Sequence, residues 1–177
     1  MRYTAYIGLG SNLASVAGSP AETVIAAIGA LSALGTVAAQ SSLYRTAPIG
    51  YREQPYFINA AVCLETELEP ERLLEDLLGM ERSFGRDRRA SVPKGPRTLD
   101  LDILLVWKRD GKPRAVVSTS PALKLPHPEI ANRRFVLEPF AEIAPNLRHP
   151  VLHRTVQELL RAFAVENGDK GDEVARL

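Results

Sequence analysis

Thr98-Leu99-Asp100-Leu101-Asp102-Ile103-Leu104-Leu105-Val106-Trp107 is an apolar, β-forming run broken only by two aspartates. It reads as a strand. On a strand, residues i and i+2 point to the same face, with Cα atoms roughly 6.6 Å apart. Asp100 and Asp102 therefore share one face, while Leu99, Leu101 and Ile103 turn to the other, toward a core. Aspartate is disfavoured in strands, and local rules tend to be broken where function requires it. Taken alone, a D-x-D pair is more often the exposed acidic face of an edge strand. Two parallel carboxylates repel each other, and a divalent cation between them turns that repulsion into a site.

Working outward, residues 86–97 lack hydrophobic periodicity and form a basic loop, and Pro70 opens a helix with Leu73, Leu74, Leu77, Leu78 and Phe84 on one face. Residues 56–68 (YFINAAVCLETEL) alternate as a strand, residues 47–55 form a loop with Pro48, Gly50 and Pro55, and residues 36–46 form a strand. Val24, Ile25, Ile28, Leu31 and Leu34 recur at helical spacing over residues 20–34, with Ser19 as N-cap, Pro20 at the first position and Gly35 as the stop. Residues 3–9 form the first strand, and residues 11–19 a loop. The order β-α-β-β-α-β predicts an α+β, ferredoxin-like antiparallel sheet with two helices on one face. Beyond it come a turn at Asp110-Gly111, a loop rich in proline (Pro121, Pro126, Pro128), short helical pieces and a last helix over residues 153–165. Residues 166–177 are polar and read as a frayed tail. The whole chain, residues 1–177, reads as one domain.

The 177 residues are 45% hydrophobic and 24% charged, and 22 Lys and Arg against 21 Asp and Glu leave a net charge of +1. That balance argues against a general nucleic-acid or membrane-surface binder. A single cysteine, Cys63, excludes an intrachain disulfide framework and a multi-cysteine zinc site, and reads as an inert core residue. Three histidines leave little for a histidine-built metal centre, so carboxylates and a hard cation such as Mg²⁺ are expected. No run is long enough to span a bilayer and no signal-peptide pattern opens the chain, which places it in the cytoplasm. A small domain of near-zero charge is compatible with a monomer.

Six cationic residues (Arg82, Arg86, Arg88, Arg89, Lys94 and Arg97) lead into the Asp pair, and only Asp87 is acidic among them. Guanidiniums beside cation-binding carboxylates suit a polyphosphate, because the guanidinium fork matches phosphate oxygens. Without the Asp pair, a solvated basic loop or an RNA contact would be favoured. Gly8-Leu9-Gly10-Ser11-Asn12 lacks the pattern of a phosphate-binding loop and reads as structural, its glycines permitting a tight strand exit. Asn59, amid apolar neighbours, needs partners for its amide, either a planar heterocycle or the backbone. His127 lies in a stiff Pro-His-Pro loop and reads as structural or as a phosphate donor. Trp107 reads as packing at the strand end.

The stretch Gly95-Pro96-Arg97-Thr98-Leu99-Asp100-Leu101-Asp102-Ile103-Leu104 closely resembles the defining motif of the 6-hydroxymethyl-7,8-dihydropterin pyrophosphokinase family of folate biosynthesis. Three more stretches agree in order: Tyr6-Ile7-Gly8-Leu9-Gly10-Ser11-Asn12-Leu13, Ser42-Leu43-Tyr44-Arg45-Thr46-Ala47-Pro48 running to Asn59-Ala60-Ala61-Val62, and Leu125-Pro126-His127-Pro128 with Arg133 and Phe135. The resemblance implies the same ferredoxin-like fold and transfer of the terminal pyrophosphoryl unit of ATP to the pterin hydroxymethyl group, releasing AMP. It implies that Asp100 and Asp102 bind two Mg²⁺ ions, that Arg97 holds phosphate oxygens, and that Arg86 and Arg88 close over the phosphates from a mobile loop. By the same resemblance Leu74, Glu81, Ile103, Lys124, His127 and Arg133 contact the nucleotide. Thr46, Ala47, Ile49, Phe57, Asn59 and Phe135 hold the pterin, with Phe57 and Phe135 stacking on the ring.

Three positions depart from the family pattern. Lys94 stands where a tryptophan is frequent, the loop Ser91-Val92-Pro93-Lys94 is about one residue longer than in some relatives, and Phe57 replaces a frequent tyrosine. Two other readings compete. Ferredoxin-like sheets also present aromatics to single-stranded RNA, but this chain has neither the R-G-F-G-F pattern nor the charge excess. A different two-metal phosphoryl or nucleotidyl transferase would reuse the same Asp pair, and only substrate chemistry separates it from the first reading.

Overall fold

The expected order of elements holds, and the sheet is antiparallel throughout. The computed structural model describes residues 2–51, 53–88, 95–167 and 173–177. Along them run β1 (Tyr3–Ser11), α1 (Pro20–Ala30), β2 (Thr36–Gln40), β3 (Tyr44–Thr46), β4 (Phe57–Thr66) and α2 (Pro70–Ser83). There follow β5 (Asp100–Lys108), three two-residue strands β6 (Arg114–Ala115), β7 (Ser118–Thr119) and β8 (Lys124–Leu125), then α3 (Arg134–Ile143), α4 (Val156–Asn167) and β9 (Val174–Arg176). The sheet order is β6-β5-β1-β4-β3-β9, with β2 also paired to β4.

Period-two alternation divides the sheet into two unlike faces. Ala5, Ile7 and Leu9 of β1, Val62 and Leu64 of β4, and Leu101 and Ile103 of β5 pack with Val24, Ala27, Ile28 and Leu31 from the first helical segment and Leu73 and Leu77 of α2. The opposite face is covered only in part. Ala61, Leu104 and Leu105, with Tyr6, pack on Leu137, Phe140 and Ala141 of α3 and Val156 and Leu159 of α4. The two helices of the β-α-β-β-α-β unit share one face as expected, and the C-terminal helices α3 and α4 form a second layer on the other. A register shift between Tyr6 and Ile7 leaves Leu104 as the extra residue on β5. Both Leu104 and Leu105 then face α3, as a bulge permits, and the Leu104 carbonyl accepts the His127 N–H at 2.9 Å.

Ser19 caps α1 in a reciprocal box with Glu22, and Pro20 takes the first turn. Gly35 does end the helical segment, for a different reason than a helix stop: a Cβ there would sit 2.2 Å from the Glu65 carbonyl oxygen on β4. Residues 36–46 are two strands and not one. The Ser41 hydroxyl accepts the Ala61 N–H at 2.9 Å, putting a side chain where the ladder would use backbone. The last helix starts at Val156, later than expected. The frayed-tail expectation is also corrected. Val174–Arg176 pair with Thr46, Arg45 and Tyr44 of β3, flanked by bonds from Ala47 N–H to the Glu173 carbonyl (3.0 Å) and from Leu177 N–H to the Leu43 carbonyl (2.9 Å). Backbone bonds and ion pairs hold this strand, so hydrophobic patterning could not reveal it.

His149, only 6% exposed, holds the turn before α4. Its Nδ1 accepts the N–H groups of Val151 (3.3 Å) and Leu152 (3.1 Å). Burial, and secondarily His153, lower its pKa. The unfolded chain thus binds this proton more readily, and stability should fall as pH drops below about 6.5, the ordinary histidine value. His149→Ala should cost about 1–2 kcal/mol at pH 7 by orphaning two donors, and His149→Asn should keep part of that and lose the pH dependence. Urea midpoints at pH 7 and pH 5 test this; equal acid losses in wild type and His149→Asn would refute it.

Candidate active site

The part of the second sheet face that α3 and α4 leave uncovered is the floor of a cleft of about 220 Å³. Gly10 of β1 lies opposite Asn59 on β4 and Asp100 on β5, and Gly8 lies opposite Asp102. Both glycines sit inside β1 and line the floor, so the tight-exit reading of them is corrected. A Cβ at Gly10 would stand 2.9 Å from Asn59 Oδ1. Asn59 cannot yield freely, because it is buried and its Nδ2 donates to Thr46 Oγ1 at 2.7 Å. Gly10→Ala should therefore cost about 1 kcal/mol, on the scale of one disturbed hydrogen bond, and weaken occupancy of the cleft. An unchanged melting curve together with unchanged ligand affinity would contradict this.

One wall is formed by Thr46, Ala47, Ile49 and Phe57, and the facing side by Arg133 and Phe135 at the start of α3. The Arg97 guanidinium lies 5.1 Å from the Phe57 ring centre and that of Arg133 lies 5.9 Å from Phe135, within cation–π reach. Asn12, 2% exposed, ties the parts together. Its Oδ1 accepts the Arg97 N–H at 2.8 Å, and its Nδ2 donates to Gln54 Oε1 and the Pro55 carbonyl, each at 3.0 Å. Reading Gly8 to Asn12 as merely structural missed this; the only sequence signal is a polar residue directly after a buried strand.

The charged half is organised by Glu81, 1% exposed, near the end of α2. Its carboxylate accepts from Arg86 Nη1 (3.0 Å), Arg88 Nε (2.8 Å), Arg88 Nη2 (2.9 Å) and the Leu101 N–H (2.9 Å). Arg86 also donates to the Leu99 carbonyl at 2.8 Å and pairs with Asp100, whose other oxygen lies 3.1 Å from Arg97 Nη1. The two aspartates thus differ electrostatically. Burial works to raise the Asp100 pKa, but Arg97, Arg86 and Arg88 outweigh it and hold its carboxyl below the usual range. Burial, and then the Asp100 charge, push Asp102 up to about 6. No described cationic side chain pairs with Asp102 at ion-pair distance. A hard dication fits two such carboxylates. Among the described residues no group of three or more His, Cys, Asp or Glu side chains gathers, so its other ligands would be water or substrate oxygens, as Mg²⁺ prefers.

Thr46, Ala47, Ile49, Phe57, Asn59, Arg97, Asp100, Asp102, Arg133 and Phe135 all line the cleft. Arg86, Arg88 and Glu81 adjoin it through Asp100. Both loop arginines are turned inward on Glu81. Leu74 and Ile103 lie on the other face of the sheet, in the α1–α2 layer, and Lys124 is exposed on β8. His127 caps a turn: its Nδ1 accepts the Glu129 N–H at 3.2 Å, and burial followed by Arg133 lowers its pKa, favouring the neutral ring with its proton on Nε2. Cys63 is half-buried and not deep in the core; burial raises its thiol pKa. Arg89, Lys94 and the loop Ser91-Val92-Pro93-Lys94 lie outside the described residues.

A family model described as 7,8-dihydro-6-hydroxymethylpterin-pyrophosphokinase (HPPK) matches residues 6–145. The 2-amino-4-hydroxy-6-hydroxymethyldihydropteridine pyrophosphokinase of Haemophilus influenzae is 39% identical over 163 residues, 91% of this chain and 93% of that one. The protein of the same name from Pseudomonas aeruginosa is 41% identical over 163 residues, 91% of this chain and 92% of that one. Among solved structures, the wild-type HPPK-DHPS of Plasmodium falciparum with pterin and p-hydroxybenzoate superposes with a TM-score of 0.69 at 15% identity, covering 96% of this chain and 43% of that one. That likeness is one of fold. No described helix is long and apolar enough to cross a membrane.

Proposed function

This chain belongs to the 7,8-dihydro-6-hydroxymethylpterin-pyrophosphokinase family, and from that premise we propose how its cleft divides the work of moving a pyrophosphoryl group from ATP to 6-hydroxymethyl-7,8-dihydropterin in folate synthesis. The pterin takes the half bounded by Thr46, Ala47, Ile49, Phe57, Asn59 and Phe135. Phe57 and Phe135 cover the ring faces, and Asn59 reads the polar edge with its carbonyl oxygen and the N–H that Thr46 leaves free. The triphosphate takes the half where Arg97, Arg86 and Arg88 meet Asp100 and Asp102. The single observation that carries this division is Gly10: with no side chain of its own, it sets Asn59 and Asp100 on its two sides across one open floor.

Two Mg²⁺ ions on Asp100 and Asp102 would neutralise the triphosphate and acidify the attacking hydroxyl. The chain's own residues do the rest. Asn12 fixes the Arg97 backbone, and the Arg97 guanidinium, 3.1 Å from Asp100, stands where phosphate oxygens would arrive. Arg86 and Arg88 are held by Glu81 beside Asp100, and their transfer from carboxylate to phosphate would add donors where charge develops. Arg133, which lines the cleft, is proposed to complete the nucleotide contacts together with Lys124 and His127.

The deciding experiment mixes the protein with ATP, Mg²⁺ and 6-hydroxymethyl-7,8-dihydropterin and separates the nucleotide products. AMP formed only when pterin is present is the expected result. ADP would mean single-phosphoryl transfer, and an absence of nucleotide product would refute the reading.

A further inference from the structure

We propose that Glu173, at the start of the C-terminal strand, is a positioning residue for the substrate wall of the cleft, fastening the two roots of the loop at residues 47–55. The inference rests on the reading that this wall holds the pterin. The Glu173 carbonyl accepts the Ala47 N–H at 3.0 Å. Its carboxylate accepts the Tyr56 hydroxyl at 2.9 Å and lies 3.8 Å from Arg45 Nη1. The Arg45 guanidinium in turn sits 3.8 Å from the centre of the Tyr56 ring. Ala47 and Tyr56 directly adjoin Thr46 and Phe57, which pair across β3 and β4, and Thr46 is the partner of Asn59.

The far end of β9 is tied as well. Arg176 donates to Ser42 Oγ (2.8 Å) and to Glu142 Oε1 (3.1 Å), and Glu142 accepts the Tyr44 hydroxyl at 2.8 Å. Glu142 lies on α3, whose start carries Phe135. The terminal strand therefore braces β3 against the helix that supplies the opposite aromatic. Without it, β3 is a three-residue edge strand with a single partner. Residues 173–177 lie beyond residues 6–145 that the family model matches.

Sheet order makes the inference specific. β9 and β5 stand at opposite sides of the sheet, separated by β3, β4 and β1. Loosening Glu173 should disturb pterin binding while leaving the carboxylates and arginines of the nucleotide half in place. Ordering a loop before the ligand arrives removes part of the cost of binding.

Steady-state kinetics on the full chain, with thermal unfolding alongside, test this for Glu173→Ala, Glu173→Gln and Tyr56→Phe. Glu173→Ala should raise the pterin KM about three- to tenfold, the scale of one or two lost hydrogen bonds, with kcat and the ATP KM within about twofold. Glu173→Gln keeps an acceptor for Tyr56 and should recover most of the loss. In a Tyr56→Phe background, Glu173→Ala should add little. Asn59→Ala checks the premise. If Asn59→Ala raises the pterin KM and Glu173→Ala does not, the brace is refuted. A parallel loss in both KM values, kcat and unfolding midpoint would make Glu173 merely structural and also overturn it. An unchanged pterin KM in Asn59→Ala would overturn the reading of the wall, and the brace with it.

Discussion

Asp102→Asn should give a protein more stable than wild type at pH 7 that has lost about 10²–10³ in pyrophosphoryl transfer, the scale on which one electrostatic contact to developing charge acts. The stability gain follows from the sign of the Asp102 shift. Its folded pKa, about 6, lies above its ordinary value of 3.8 because of burial and the neighbouring Asp100. The folded protein holds that proton more tightly than the unfolded chain, so stability declines as pH rises through this window and stays lower above it. An amide removes the like charge and the ionisation together, which should restore roughly 1–3 kcal/mol at pH 7 and nothing near pH 4. Asp100→Asn should behave oppositely. Asp100 compensates Arg86, whose side chain is 9% exposed, and Arg97, and breaking such a pair on one side costs about 3–5 kcal/mol when fully buried, less here. Urea unfolding of both variants at pH 4 and pH 7 distinguishes them. A loss of stability in Asp102→Asn of equal size at both pH values would refute the account.

The asymmetry shows how far residues can be read without coordinates. That Asp100 and Asp102 share a face follows from strand period alone. That one is neutralised by arginine and the other is not depends on where Arg86 and Arg97 turn, which spacing does not encode. The helical and strand periods recovered β1, α1, β4, α2 and β5, because each buries an apolar stripe on one layer. They missed β9, which buries almost nothing, and the break between β2 and β3, which one serine hydroxyl makes. Asn59 was legible as a polar residue needing partners, but its bond to Thr46 was not. The floor itself was misjudged at Gly8 and Gly10, since a glycine that keeps a strand surface open looks in sequence like one that permits a turn.

Glu81 is the residue whose loss should damage the fold most within the site. A carboxylate near the end of a helix meets the negative pole of the helix dipole, and burial makes that worse. It is held there by Arg86, Arg88 and the Leu101 N–H, so its ionised state is compensated and its three partners depend on it. Glu81→Ala leaves a nearly buried Arg86 with Asp100 and the Leu99 carbonyl alone, and orphans the buried Leu101 N–H. The expected cost is about 3–5 kcal/mol. Turnover should also fall by at least about tenfold, because both loop arginines lose the group that orients them. Glu81→Gln keeps an acceptor for Leu101 but sets an amide against two guanidiniums, and should fall between. The cost arises from stranded partners and not from a contact energy of Glu81 itself, so the loss must be non-additive. Arg86→Ala introduced into Glu81→Ala should cost much less than Arg86→Ala does in the wild-type chain. Additive losses in that pair, measured by urea unfolding at pH 7, would mean that Glu81 and Arg86 act independently and that the buried carboxylate does not organise the charged half of the cleft.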